Sequence, residues 1–253
     1  MKSIKESIEA IKLGIIETKV YFKYTIVDMA IDLIEIFILA LFWSELSKVG
    51  IINYDFKVFF SYFFGTYIIR CFQSTPVDLE RFLRRGSLHK ELAIPYNILY
   101  RDLYFIWGMQ LIFLVIIIPI IIFLIVAFKI RAINIFIFVI YSILSILLEY
   151  HFSLLIIMPL AIYGTNSVIR TIYRFLHYFL SGSLIPFFIF PDKVVNILKL
   201  LPFYYMRYAG AKQLIFGFNI SDLIGIIIWL IISIALARIG FYKTLKHAEP
   251  RES

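Results

Sequence analysis

Acidic side chains stand inside apolar sequence at a spacing that brings them together. Asp28, Asp32 and Glu35 follow one another at i, i+4 and i+7, so one helical face carries all three. Carboxylates among apolar residues are costly unless they face protein, water or a basic partner. Two interpretations stay open. The acids line a pathway and attract a cationic solute, or they pair with Arg70 or Arg101 in a structural role.

One glutamate and two histidines lie in later apolar runs of the sequence: Glu149, His151 and His177. Glu149 and His151 could relay protons, but they are two residues apart and point to different helix faces. Separate bonds to neighbouring helices are therefore favoured. His177 follows Arg174 by about one helical turn, which predicts a helix contact or a headgroup site. No spacing typical of metal-binding histidines or cysteines occurs in the sequence, so we expect no metal site.

Apolar helices must position these residues. The 253-residue chain is 62% hydrophobic and 17% charged, with a mean hydropathy of +0.90, unlike an average soluble domain. A helix needs about 20 apolar residues to cross a bilayer. Six such runs occur: Ile26–Leu46, Phe56–Phe72, Leu103–Phe128, Ile133–Leu160, Asn166–Pro186 and Leu223–Tyr242. The sequence predicts an all-α polytopic membrane protein with six transmembrane helices and one domain over residues 1–253.

The distribution of positive charge predicts the orientation of the chain. The net charge is +8, and with a cytoplasmic N-terminus 17 of the 25 lysines and arginines lie on the inner side. Basic residues are enriched in cytoplasmic loops, so both termini are predicted to be cytoplasmic in a plasma or inner membrane. Because the charge serves to orient the protein, we expect no nucleic-acid partner.

The first 20 residues predict a surface helix. Ser3 and Glu6 have the spacing of a capping box, and Ile4, Ile8 and Ile11 follow at helical spacing. With lysines on the other face, residues 1–20 are predicted to form an amphipathic interfacial helix against membrane lipid. The alternative is a solvated helix packed on another subunit.

Residues 76–98 form a polar loop between the second and third runs. Asp78 is a possible N-cap, basic residues follow it, and Gly86 ends the first short helix. A second short helix ends before Pro95. Amphipathic helices of this kind need a partner for their apolar faces, although an interfacial loop whose arginines meet lipid headgroups has the same pattern.

Residues 186–210 interrupt the end of the chain with prolines. Pro186 and Pro191 break the fifth run, Asp192 can cap a short helix, and Pro202 follows that helix. A helix this short cannot span a bilayer, and irregular backbone at membrane depth must be buried in protein or line a wet cavity. We predict re-entrant helices that form an outer gate. An external interfacial loop is the alternative.

Two segments carry short motifs in order. Residues 86–95 read GSLHKELAIP, which fits G-x-L-x-x-x-L-x-x-P, and residues 181–191 read SGSLIPFFIFP, followed by LPFYY at 201–205. These segments resemble the permease subunits of ABC transporters of the type-2 exporter class, drug or antibiotic branch, and the likeness covers nearly the whole chain. His89 and Ser87 depart from the acidic residue and the threonine that are common there.

The resemblance implies that ATP chemistry belongs to a partner. Such permeases form dimers, and each protomer rests on a cytoplasmic ATPase subunit through the helix after the second span. Two ATPase copies would bind ATP and Mg, and this chain would hold no cofactor and no catalytic residue. None of its eleven glycines precedes a lysine, so a Walker A loop is absent from the sequence. The second permease is either identical or a sister chain.

The resemblance also implies roles for particular residues. The coupling helix would present Arg81, Phe82, Arg84, Arg85, Gly86, Leu88 and Glu91 to the ATPase. The outer gate would use Ser181, Gly182, Pro186, Pro191, Asp192 and Pro202. The exported solute is expected to be hydrophobic or amphipathic: a drug, an antimicrobial peptide, a lipid or a glycan.

Two other functions stay open from the residues alone. An ion-coupled secondary transporter would use Asp28, Asp32, Glu35 and Glu149 as coupling groups. An intramembrane hydrolase would use Ser181 or Ser183 as its nucleophile, although no residue of the sequence is placed to act as its base.

Overall fold

The apolar runs form long helices. A computed structural model describes residues 2–51, 54–73, 98–163 and 167–248, and every regular element in them is helical. In chain order the α-helices are α1 (Lys2–Leu46), α2 (Phe56–Phe72), α3 (Ile98–Phe128), α4 (Ala132–Tyr163), α5 (Ser167–Leu180), α6 (Asp192–Leu198), α7 (Pro202–Met206), α8 (Tyr208–Ala211), α9 (Gln213–Phe216) and α10 (Ile220–Ala248). The predicted all-α class is confirmed.

Five of the six predicted runs lie within one long helix each. The run Phe56–Phe72 coincides with α2, and the runs predicted to end at Leu46 and Phe128 end with α1 and α3. Among the described residues, two stretches are long and apolar enough to cross a membrane. They are Ala132–Ile157 in α4 and Ile220–Lys243 in α10, with mean hydropathies of 2.2 and 2.5.

The fifth predicted run is shorter than expected. We predicted Asn166–Pro186, but α5 stops at Leu180 after 14 residues, a length of about 21 Å. Gly182 turns the chain there with a φ of +80°, in the left-handed region that favours glycine. The helix therefore ends at the Ser-Gly-Ser turn and not at Pro186, the residue to which the sequence reasoning assigned the break.

The predicted surface helix over residues 1–20 is continuous with the first predicted run. Helix α1 extends for 45 residues from Lys2, because no proline interrupts it and its one early glycine serves packing. At Gly14 the helix touches the backbone of Phe105 in α3, and at Gly108 helix α3 touches the carbonyl of Ile11. Two facing glycines allow such close approach. At Gly14, helix α1 thus packs on α3 of its own chain.

The long helices form two groups with short helices between them. Helix α1 packs against α2 and α3, while α4 packs against α10. The short helices α8 and α9 lie between α2 and α4, and α7 also contacts α10. Residues 204–211 are all buried. Helices α7 and α8 therefore lie among the long helices, whereas α6 has no buried residue.

The segment from Ser181 to Phe216, called the 181–216 segment below, contains a hairpin between Phe188 and Phe216. Phe188 and Phe216 both contact Tyr54, which precedes α2, with ring centroids 4.9 and 6.0 Å away. Between them the segment reaches the far end of α2, where Gln73 Nε2 donates a hydrogen bond to the Met206 carbonyl at 2.9 Å. Between Phe188 and Phe216 the chain therefore follows a hairpin along α2, from the end near Tyr54 to the end at Gln73 and back.

Candidate functional site

The turn after α5 is fixed by a buried tyrosine. Tyr62 of α2 donates a hydrogen bond to the carbonyl of Gly182 at 2.7 Å. A Cβ at Gly182 would lie 2.6 Å from the Tyr62 hydroxyl, so close contact as well as the positive φ requires glycine here. The hydroxyls of Ser181 and Ser183 lie 2.9 Å apart and share a hydrogen bond.

Arg207 joins this turn to the end of α2. Its Nη1 donates to Ser183 Oγ at 2.8 Å and its Nε donates to Gln73 Oε1 at 2.7 Å, while the residue is 8% exposed. Both serine hydroxyls are thus engaged, and no imidazole or carboxylate is among their hydrogen-bond partners in the described residues.

Glu149 of α4 pairs with His177 of α5. Their Oε1 and Nε2 atoms are 3.3 Å apart, and the two residues are 8% and 5% exposed. Glu149 Oε2 and the Tyr173 hydroxyl are buried without a hydrogen-bond partner among the described residues. His151 instead bonds the Leu147 carbonyl of its own helix through Nδ1 at 2.7 Å. The structure thus pairs Glu149 with His177 and not with His151.

The acidic face of α1 meets an arginine on α2. Arg70 contacts Asp32 Oδ1 at 2.6 Å and Glu35 Oε2 at 3.5 Å. Tyr178 of α5 donates to Glu35 Oε1 at 3.0 Å. Asp28 is exposed and belongs to no ion pair in the described part of the chain. The pairing with Arg70 is the one that the structural interpretation of these acids expected.

A small cavity separates the two arginines. It has a volume of about 20 Å³, and its polar lining consists of Glu35, Arg70, Tyr178, Ser183 and Arg207, together with a threonine and a tyrosine of α2. A cavity of this size holds about one water molecule. Of the acids predicted to line a pathway, Glu35 lines this cavity. Arg70, Arg207 and their partners form one group, called the central polar cluster: Asp32, Glu35, Arg70, Gln73, Glu149, His177, Tyr178, Ser181, Ser183 and Arg207.

Asp222 organises a second buried cluster that the sequence reasoning missed. It is 0% exposed, forms an ion pair with Lys212, and accepts a hydrogen bond from Tyr204 at 3.2 Å. Asn219 Oδ1 accepts a hydrogen bond from the backbone N–H of Asp222 at 3.1 Å. A side chain that binds the N–H three residues later is typical of an N-cap, here on α10. The spacing between Asn219 and Asp222, which is typical of an N-cap, was the signal in the sequence that could have revealed this helix start.

The predicted gate residues separate into two sets. Ser181, Gly182, Pro186 and Pro202 are buried, whereas Pro191 and Asp192 are exposed. Asp192 is the first residue of α6, not the N-cap that we predicted, because Pro191 takes that position and makes no side-chain cap. The structure therefore brings four of the six residues into the protein interior.

The predicted coupling residues lie outside the residues that the structure describes. They are Arg81, Phe82, Arg84, Arg85, Gly86, Leu88 and Glu91. The described chain ends on one side of them at Gln73, which is bonded to the 181–216 segment. Within the described ranges, no group of three or more His, Cys, Asp or Glu side chains could hold a metal ion.

Comparison with known proteins gives no relative. No family matches the chain, and no curated protein or solved structure matches it.

Neutralising Arg70 is expected to destabilise the protein. Arg70→Gln leaves Asp32 and Glu35 without their counterion, and because the three side chains are partly exposed we expect a loss of about 1 kcal/mol. Asp32→Asn should lower the unfolding temperature of the purified protein, whereas Asp28→Asn, on the exposed part of the same face, should not. Wild-type transport by a less stable Asp32→Asn variant would contradict the pathway interpretation of these acids.

Proposed function

We propose that the chain is the membrane-spanning permease subunit of an ATP-driven ABC exporter of the type-2 class. The observation that carries the proposal is the re-entrant path of the 181–216 segment. This segment contains the motifs SGSLIPFFIFP and LPFYY, and its short helices α7 and α8 are largely buried among the long apolar helices. A hairpin of short helices that returns to its own end suits a gate at one face of a membrane, where irregular backbone must be shielded by protein.

The outward faces of the long helices support a membrane environment. Only 22% of the apolar window in α10 and 39% of that in α4 is buried within the chain. The core helix of a soluble protein would be mostly buried, and large continuous apolar surfaces are unusual on soluble monomers. On α10 the exposed apolar side chains include Ile224, Ile228, Ile231, Leu236 and Ile239. Lipid would cover these faces.

The proposed topology has six crossings and cytoplasmic termini in a plasma or inner membrane. Helices α1, α2, α3, α4 and α10 each contain a predicted run. The fifth crossing would combine α5 with the re-entrant segment, since α5 alone covers about 21 Å of a hydrocarbon core of roughly 30 Å. Residues 1–20 would reach the inner headgroup layer as the start of α1, and residues 186–210 would form the outer gate.

The division of labour follows the resemblance. Two copies of this chain, or one copy with a sister permease, would enclose the pathway. Two cytoplasmic ATPase subunits would bind ATP and Mg and grip residues 76–98. Gln73 supports this arrangement, because it stands directly before the coupling loop and bonds both Met206 and Arg207 of the 181–216 segment. A movement of the coupling loop would thus reach the gate through one residue.

Reversing two charges in the coupling loop tests the proposal. Arg84→Glu with Arg85→Glu is expected to weaken co-purification of the ATPase and to lower transport-stimulated ATP hydrolysis about tenfold, because close like charges across an interface can cost several kcal/mol. The matched control is Lys19→Glu with Lys23→Glu, which makes the same charge change at two exposed positions on α1. Unchanged hydrolysis and unchanged co-purification in the loop variant would refute this assignment.

The buried pair of Glu149 and His177 favours a second candidate, an ion-coupled transporter. Ionisable residues inside apolar helices often belong to proton pathways. Of the four acids proposed for coupling, however, Asp32 and Glu35 already have Arg70 as a counterion. Reconstitution of the purified chain alone in liposomes separates the candidates. Uphill transport driven by an ion gradient without ATPase would support the second and contradict the first.

A further inference from the structure

A cavity of about 620 Å³ opens at the end of the bundle where α2 begins. The connection from α3 to α4 forms one wall, and the chain leaving α9 forms another. Its volume is within the usual range for small-molecule sites, about 300–1,000 Å³. The lining side chains include Lys57, Ser61, Lys129, Arg131, Asn134, Phe216 and Phe218.

The charges of this cavity are all positive. Lys57, Lys129 and Arg131 line it, and no aspartate or glutamate is among its lining residues. None of the three cations forms an ion pair within the described chain, unlike Arg70 and Lys212, which face carboxylates. Three uncompensated cations around one space attract an anion and raise its local concentration.

The backbone holds two of the cations close together. Helix α3 ends at Phe128, and Lys129 adopts a φ of 56°, which is uncommon for a residue other than glycine. This conformation turns the chain within three residues, so that Lys129 and Arg131 flank the same opening. Asn134 Nδ2 donates to the Leu214 carbonyl at 3.3 Å and ties the start of α4 to the opposite wall.

Apolar side chains surround the basic cavity. Phe216 and Phe218 line it and are 49% and 56% exposed, and Ile133 on the α4 side is 59% exposed. A small hydrophilic anion would leave these side chains uncovered. A phosphate group attached to acyl chains satisfies both parts of the surface, because the cations meet the phosphate while the hydrocarbon covers the aromatic rim.

We propose that this cavity binds the phosphate headgroup of an anionic phospholipid, with its acyl chains against Phe216, Phe218 and Ile133. The inference rests on the membrane placement of the proposed function and not on ATP coupling. Lys57, Lys129 and Arg131 hold the phosphate, and Asn134 supplies a polar side chain beside them. The site prefers phosphatidylglycerol to the zwitterionic phosphatidylcholine because only the former keeps a net negative charge.

Lipid binding to the purified full-length chain in detergent tests this site. Tail-labelled phosphatidylglycerol and tail-labelled phosphatidylcholine are titrated separately, with fluorescence anisotropy as the measurement. We expect about a tenfold preference for phosphatidylglycerol, which the triple variant Lys57→Gln, Lys129→Asn, Arg131→Gln abolishes. Asparagine is chosen at position 129 because it tolerates a positive φ.

The control removes three cations on the same predicted side of the membrane but outside the cavity. Lys48→Gln, Lys193→Gln and Lys199→Gln make the same charge change and should keep the preference. If both triple variants lower binding equally, the attraction is a general charge effect and the site is refuted. An unchanged preference in the cavity variant refutes it as well.

Free inorganic phosphate carries the same anionic group as the lipid headgroup and is the other ligand that the three cations could bind. If inorganic phosphate at millimolar concentration displaces labelled phosphatidylglycerol from wild type, the cavity recognises the anion alone and the lipid assignment is wrong.

The three cations are exposed, so their replacement should not affect folding. Should the triple variant aggregate, Arg131→Gln alone must lower the preference about threefold, or the proposal is wrong. Binding needs no ATPase, so its failure leaves the exporter proposal intact, and failure of the coupling-loop test leaves the lipid site intact.

Discussion

Asp222→Ala is expected to lower the free energy of unfolding by about 3–5 kcal/mol, because it leaves the ammonium of Lys212 without a counterion in a largely buried site. Among the described residues of the cluster, Lys212 then keeps its hydrogen bond to the hydroxyl of Tyr204, at 3.2 Å. Tyr204 and Gln213 also lose the carboxylate to which they donate. Denaturant unfolding of the purified protein in detergent, followed by tryptophan fluorescence, measures this loss.

The double variant Asp222→Leu with Lys212→Met distinguishes loss of a pair from loss of packing. Removing both charges avoids the buried unpaired ion, so the double variant should be more stable than Asp222→Ala by at least about 2 kcal/mol. Asp28→Ala removes an exposed carboxylate of α1 and should change stability by no more than about 0.5 kcal/mol. A double variant as unstable as the sum of its single replacements would show that the ion pair is not the cause.

The sequence predicted the helices well where charged or turn residues flank a long apolar run. Helix α2 coincides with its predicted run, since Asp55 stands before it and Gln73 after it. Helices α1 and α3 end where predicted because polar or turn-forming residues follow Leu46 and Phe128 at once. Boundaries of this kind depend on local sequence, so periodicity and hydropathy suffice to find them.

The errors arose where tertiary contacts set the boundary. The capping box near Ser3 indicates a helix start, but nothing local says whether that helix stops before Ile26, and α1 continues through both segments. The end of α5 depends on Tyr62, a residue 120 positions away, whose hydroxyl binds the Gly182 carbonyl. Prolines 186 and 191 were a stronger local signal than one glycine, so the break was assigned to them.

The two clusters differ in how far the sequence could reveal them. Arg70 and Glu35 lie at similar distances from the connection between α1 and α2, and antiparallel helices bring such positions together, which made the pairing with Arg70 foreseeable. By the same argument, Glu149 and His177 lie on either side of the connection between α4 and α5, so their pairing could also have been predicted. The contact between Lys212 and Asp222 depends on the path of three short helices, which no periodic pattern specifies.

The 181–216 segment is fastened to the long helices by two of its charged residues, Arg207 and Lys212. Arg207 ties it to Gln73 at the end of α2, and Lys212 ties it to Asp222 at the start of α10. In the proposed exporter, an opening of the gate therefore requires either that these bonds break or that α2 and α10 move with the segment. Since an unpaired buried ion is costly, movement together is the less expensive of the two.

Gly14→Val and Gly108→Val are each expected to destabilise the protein by about 3 kcal/mol, because overpacking at this contact must separate two helix backbones. A Cβ at Gly14 would overlap the Phe105 carbonyl, and one at Gly108 would overlap the Ile11 carbonyl. Backbone atoms cannot rotate away as a flexible side chain can, so α1 and α3 must move apart along the contact. The shift in unfolding temperature of the purified variants measures the effect.

Ala30→Val provides the matched control, since it adds a β-branched side chain at an exposed position of the same helix. It should change stability by less than about 1 kcal/mol, the cost of helix propensity alone. Separation of α1 from α3 would also break the hydrogen bond from Thr18 Oγ1 to the Met109 carbonyl, at 3.3 Å. If Gly14→Val destabilised the protein no more than Ala30→Val does, the first half of α1 would not pack on α3. The prediction of a separate surface helix over residues 1–20 would then stand.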